Sequence, residues 1–108
     1  MDELERKERY ALLLDLYGSL LGGEQLRRAK DYYFGDFSLA EIAEREGKSR
    51  NAIHLSIQAA EHKLDECETR LGLARRLEAV DQILRRIEES GQFTRECARI
   101  RRLLLNGI

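Results

Sequence analysis

The sequence predicts an all-α protein, on three observations. Its 108 residues include no proline, so the strongest breaker of helix interiors is missing throughout. Ala, Leu, Glu and Arg dominate the composition, and all four are good helix formers. Apolar residues recur at spacings of three and four between short glycine-marked breaks, the period of helices packed along one side. A chain of this length supports one small domain with a modest core.

The elements follow in order. A first helix is expected from about Asp2 to Leu20. Asp2, Glu3 and Glu5 suit its positive end, and Leu13, Leu14, Tyr17, Leu20 and Leu21 make its apolar face. Gly22-Gly23 ends it. A second helix runs from about Glu24 to Phe34, with Leu26, Ala29, Tyr33 and Tyr32 as inward candidates, and Gly35-Asp36 closes it. Tyr32, Tyr33, Phe34 and Phe37 are the right residue types for stacking on single-stranded bases, but packing between the second and third helices is the favoured role.

The third helix opens with Ser38 as N-cap and Glu41 three residues on, a capping box. Phe37, just before the cap, is placed to staple onto Ile42. Gly47 supplies a left-handed turn, and Ser49 caps a fourth helix whose Ile53, Ile57, Ala60 and Leu64 share one face. Gly72 marks a junction. Leu73, Leu77, Val80, Leu84 and Ile87 then recur as a heptad-like seam, which predicts either a dimer interface or an intrachain hairpin. Gly91 breaks it, and a last helix from about Phe93 to Leu105 carries Phe93, Cys97, Ile100 and Leu104 on one side. The expected division is 1–70, containing a helix-turn-helix at 38–65, and a helical hairpin at 71–108.

The helix-turn-helix carries the functional question. In DNA-reading versions, exposed residues at the start of the second helix touch base edges. Here these are Arg50, Asn51, His54, Leu55 and Gln58, and Arg, Asn and Gln can read guanine or adenine. The charge speaks against that use. Between Lys48 and Glu66, three basic residues (Lys48, Arg50, Lys63) face three acidic ones (Glu61, Asp65, Glu66). Phosphate contacts supply most of the affinity in such complexes. The whole chain has 19 basic and 20 acidic residues, a net charge of -1. That excludes a protein holding nucleic acid by its overall field. The basic excess lies after residue 66, where the pairs Arg75-Arg76, Arg85-Arg86 and Arg101-Arg102 are candidate phosphate grips.

Other chemistries find little support. Cys67 and Cys97 lack metal-ligand spacing and are expected as reduced, partly buried thiols. His54 and His62 lack a third ligand. No phosphate loop, HExxH or metal-spaced cysteine set is present, so neither an enzyme nor a cofactor is expected. The apolar run 10–21 is too short to span a bilayer, and the cytoplasm is the expected compartment.

Several segments carry a family resemblance: LLDLYGSLL (13–21), Glu24-Gln25, YYFGDFSLAEIAE (32–44), SRNAI (49–53) and EHKLDECETRLGL (61–73). Together these resemble the YlxM family of small bacterial proteins. Beyond Leu73 the likeness rests on helical character alone. The resemblance implies a helix-turn-helix like that of sigma factor region 4. It also implies an accessory or regulatory role in the signal recognition particle pathway, with the particle's GTPase subunit or its RNA as partner. The exposed positions depart from the family's usual pattern. Asn51 stands where glutamine is common, His54 where tyrosine is, and Ala59 where a basic residue is; Gly22-Gly23-Glu24-Gln25 replaces Thr-x-x-Gln. Duplex DNA and a homodimer through the C-terminal seam are the competing partners. Arg50, Asn51, His54, Gln58, Arg75, Arg76, Arg85 and Arg86 are the candidate contacts.

Overall fold

The computed structural model describes residues 1–106, so the expected 71–108 segment ends beyond the described residues. Among the described residues, six α-helices and one short 3-10 turn make up the regular structure: α1 (Glu3–Tyr17), the turn Gly18–Leu20, α2 (Gly23–Tyr33), α3 (Leu39–Glu46), α4 (Arg50–Leu71), α5 (Leu73–Glu89) and α6 (Thr94–Asn106). They form two compact units, Met1–Leu71 and the segment from Gly72 onward. Among the described residues no helix is long and apolar enough to cross a membrane.

The first unit is organised around α4. Its Ile53, Ala60 and Leu64 are fully buried and Ile57 nearly so, and α1, α2 and α3 all pack on it. Against this stripe α1 presents Leu13, Leu14, Leu16 and Tyr17, and α2 presents Ala29 and Tyr33. Leu13, Leu14, Tyr17 and Leu21 are buried as expected, with two changes. Leu16 joins the core while Leu20 is 54% exposed, because the helix ends at Tyr17 and the 3-10 turn swings Leu20 outward while Leu21 returns to the core.

The tyrosines pack differently from expectation. Tyr33 lies 6.0 Å from the Tyr10 ring and 5.0 Å edge-on from Tyr32, and Lys7 sits 4.5 Å over Tyr32. They therefore pack towards α1 and α4, not between α2 and α3. On the α3 side, Phe37 carries the Arg45 guanidinium 4.6 Å above its ring.

Local signals set the helix-turn-helix. The Ser38 hydroxyl accepts from the Glu41 amide at 3.0 Å and the Glu41 carboxylate accepts from the Ser38 amide at 3.1 Å, completing the capping box. Gly47 adopts φ 67°, ψ 34°, a left-handed geometry that costs a side-chain-bearing residue free energy. Two residues later the Ser49 hydroxyl accepts from the Ala52 amide at 3.0 Å and starts α4. Ile42 and Ala43 are buried at the crossing, the small Ala43 letting α3 and α4 approach closely.

In the second unit, Gly72 (φ 65°) separates α4 from α5. The α5 and α6 helices pack together as a hairpin. Leu84 (4% exposed) and Cys97 (2%) form its centre, with the Cys97 thiol 3.7 Å from the Leu84 carbonyl oxygen. Leu84, placed by the sequence in a candidate dimer seam, is therefore consumed inside one chain. Both cysteines are free thiols.

Ile53 is 0% exposed in the stripe shared by the first unit's helices. Truncation to alanine is expected to destabilise the protein by about 2–5 kcal/mol, read as a lower urea midpoint with an unchanged m-value.

Candidate partner-binding face of the helix-turn-helix

The outward side of α4 is set by what its other side does. Apolar positions 53, 57, 60 and 64 point inward, and a polar stripe runs beside them. Glu61, only 5% exposed, accepts from Arg6 of α1 at 2.6 Å and from the Tyr33 hydroxyl of α2. Asp65 accepts from the Tyr10 hydroxyl at 2.6 Å and from Arg9 at 3.2 Å, and Glu68 accepts from the Tyr17 hydroxyl at 2.7 Å. Positions 61, 65 and 68 are one turn apart on one side of α4, and 10 and 17 are two turns apart on α1, so the two helices are zipped by matching polar rows. Burial pushes both phenols up, with acceptance by the carboxylates adding to it. Tyr10 reaches about 12 and Tyr33 rises further.

This zipper changes the charge balance read from the sequence. Two of the three acids counted against phosphate binding, Glu61 and Asp65, are turned onto α1 and matched there. The third, Glu66, faces outward but pairs with Arg70 at 3.3 Å. What α4 exposes at its start is Arg50, Asn51, Leu55 (56% exposed) and Gln58, with His54 half-buried beside them. The four α4 residues proposed from sequence thus do come together on one surface. Arg50 is its one charged group, and Leu55 is its apolar centre.

A second network fixes how this face is presented. Arg28 of α2 donates to both carboxylate oxygens of Glu46 on α3, at 2.7–3.0 Å, and to the Ser56 hydroxyl of α4 at 3.2 Å. Arg28 and Glu46 side chains are only 11% and 16% exposed. One guanidinium therefore ties three helices together, with the bidentate geometry that makes such pairs strong. It also holds the Glu46 carboxyl below its usual range. Sequence reasoning missed both networks. The one available signal was the row of acids at 61, 65 and 68 flanking the apolar stripe.

The first helix-turn-helix helix bears on the choice of partner. At its N-terminus, where amides commonly bind a phosphate, the Glu41 carboxylate already takes the Ser38 amide. The hydrogen bonds from the Ser38 amide and hydroxyl keep it ionised to lower pH than usual. A fixed negative charge therefore stands at the start of α3.

The arginine pairs belong to the second unit. Adjacent residues diverge by about 100° around a helix, so Arg75-Arg76 and Arg85-Arg86 form no single ridge. Arg85 pairs with Asp81 at 2.9 Å, and Arg101 is held between Asp81 and Glu88, both at 2.7 Å. Arg101 is thus a structural group and not a phosphate grip, while Arg76, Arg86 and Arg102 remain exposed. His54 and His62 join no metal-binding cluster among the described residues.

Residues 4–102 match a family model described as "Putative helix-turn-helix protein, YlxM / p13 like", UPF0122. The chain belongs to this family. It is 39% identical over 90 residues to a UPF0122 protein of Malacoplasma penetrans, covering 83% of each chain. A UPF0122 protein of Symbiobacterium thermophilum is 45% identical over 80 residues, covering 70% of this chain and 75% of the relative. One from Geobacillus kaustophilus is 38% identical over 86 residues, 80% and 78% respectively. No solved structure matches the chain. The family match extends through α5 and into α6, so this UPF0122 chain resembles its relatives in the hairpin as well as in the helix-turn-helix.

Two outcomes test the Arg28 clamp. Replacing Arg28 by Met leaves Glu46 only its longer pair with Arg27 at 3.8 Å and is expected to cost about 3 kcal/mol. Adding Glu46→Leu should recover most of that loss, because removing both charges removes the orphaned one; chemical denaturation of the three proteins measures it. The lowered carboxyls of Glu46 and Glu41 also set a pH dependence. A carboxyl held low when folded stabilises fully above its unfolded value, 4.5, and loses that contribution as pH falls through the folded one. Urea midpoints should be flat from neutral pH to about pH 5 and then fall, with the Arg28→Met, Glu46→Leu protein showing the shallower fall.

Proposed function

We propose that this protein is a non-enzymatic accessory protein of the signal recognition particle pathway, and that it docks on the particle's GTPase subunit through the outward face of α4. The carrying observation is the composition of that face. Arg50, Asn51 and Gln58 surround an exposed Leu55, and a patch with one charged group, an apolar centre and a polar rim suits a protein surface. A phosphate backbone is less well served, because few free cations stand beside the patch and Glu41 occupies the α3 N-terminus. The family resemblance of residues 13–73 supplies the pathway, and the rigid Arg28–Glu46–Ser56 tie supports a preformed contact surface.

A second reading is a DNA-binding regulator. It draws on the residue types at the start of α4, where Arg50, Asn51 and Gln58 match those that read base edges.

Retention of the purified GTPase subunit on the immobilised protein separates these readings. Binding is expected with little change between about 50 and 200 mM salt, where nucleic-acid binders with many phosphate contacts lose orders of magnitude. Leu55→Glu should abolish it while leaving the helical circular dichroism intact. A steep salt response with particle RNA or duplex DNA, and no retention of the GTPase subunit, overturns the proposal.

A further inference from the structure

The α5–α6 hairpin has two unlike sides. Positions can be counted around each helix at about 100° per residue. From Leu84, Asp81 and Glu88 lie about 40–60° to one side, and Ile87 and Ile83 about 60–100° to the other. From Cys97, Arg101 lies about 40° to the first side, and Ile100 and Leu103 about 60–120° to the second. Leu84 and Cys97 meet at the centre of an antiparallel pair, and antiparallel helices seen from one end rotate in opposite senses. Equal offsets therefore fall on the same side of the hairpin. On the first side Arg101 bridges Asp81 and Glu88 and seals the seam. The second side is open and mainly apolar: Ile83 is 57% exposed, Ile87 37%, Ile100 41% and Leu103 67%, with Phe93 (61%) at the turn. The exposed Glu96 and Arg76 lie on the same side. Of the heptad seam, Ile87 belongs to this uncovered surface while Leu84 is buried.

We infer that this open face is covered by the same face of a second copy, building a four-helix bundle in which α5 of one chain packs on α6 of the other. Size is the first argument. The exposed parts of these five side chains amount to about 450 Å², the non-polar share of a standard interface of about 800 Å² per partner. Two packed helices leave such a stripe uncovered, and four cover it.

Charge selects the occupant and its orientation. Arg86 lies at the outer rim of the open face on α5. Glu96 lies between Ile100 and Leu103 on α6. Both are exposed, and neither side chain has an ion-pair partner among the described residues. With Cys97 level with Leu84, Glu96 stands about 1.5 Å from the level of Arg86. A two-fold axis along the hairpin keeps levels unchanged and sets α5 against α6, so Arg86 of each copy meets Glu96 of the other. The alternative two-fold, α5 against α5, brings together rims whose charges on this face are Arg76 and Arg86, and like charges repel. This interface is independent of the α4 proposal and uses none of its residues.

Sedimentation velocity at micromolar concentration tests it. The native chain is expected as a dimer. Ile83→Glu and Leu103→Glu should each give a monomer with unchanged helical circular dichroism, since both sites are exposed within the chain. Arg86→Glu and Glu96→Arg each convert two Arg86–Glu96 pairs into repulsions and should raise the dissociation constant about tenfold, and the two together should restore it. A monomeric native protein, dimers unaffected by Ile83→Glu and Leu103→Glu, or a charge-swapped double variant no tighter than the single ones would each overturn the inference.

Discussion

The first unit depends on α4 being used from two sides at once. Its inner side carries an apolar stripe of full burial, Ile53, Ala60 and Leu64, on which three other helices rest. Beside the stripe runs the acidic row Glu61, Asp65 and Glu68, which receives arginines and tyrosines from α1 and α2. A carboxylate as buried as Glu61 persists only when its charge and its lone pairs are both satisfied. Arg6 supplies the charge and Tyr33 a second donor. With those demands met, the helix is locked in rotation, and the face shown to solvent is what remains.

That constraint connects packing to function. Because the acids are spent on holding α1, the exposed start of α4 shows Arg50 as its charge, beside Asn51, Leu55 and Gln58. Arg28 then fixes the angle at which this surface is offered, by joining α2, α3 and the first turns of α4 through Glu46 and Ser56. A helix-turn-helix whose inter-helix angle is held by a bidentate ion pair presents a rigid surface. Rigid surfaces lose less entropy on binding.

The hairpin follows a different logic. Its two helices share too little surface to bury all their apolar residues, so Leu84 and Cys97 go inside and Ile83, Ile87, Ile100 and Leu103 stay out. The Arg101 bridge closes only one of its two sides. Polar closure on one side and apolar exposure on the other give the unit a direction for assembly.

Sequence alone was sufficient wherever the governing interaction is short in range. The capping box of Ser38 and Glu41, the left-handed Gly47, the Ser49 cap and the junction at Gly72 are all decided within about four residues, and local backbone chemistry is readable at that distance. The inward stripe 53, 57, 60 and 64 was readable for the same reason, since helical period alone orients it. What only the tertiary structure decided are the partnerships across 18, 28 and 55 residues that join Arg28 to Glu46, Arg28 to Ser56, Tyr33 to Glu61 and Arg6 to Glu61. Charges counted along a chain carry no information on which face they occupy or which opposite charge they meet. For that reason Glu61 and Asp65 looked like surface acids, and Arg101 like a free phosphate grip, until packing placed each against its partner.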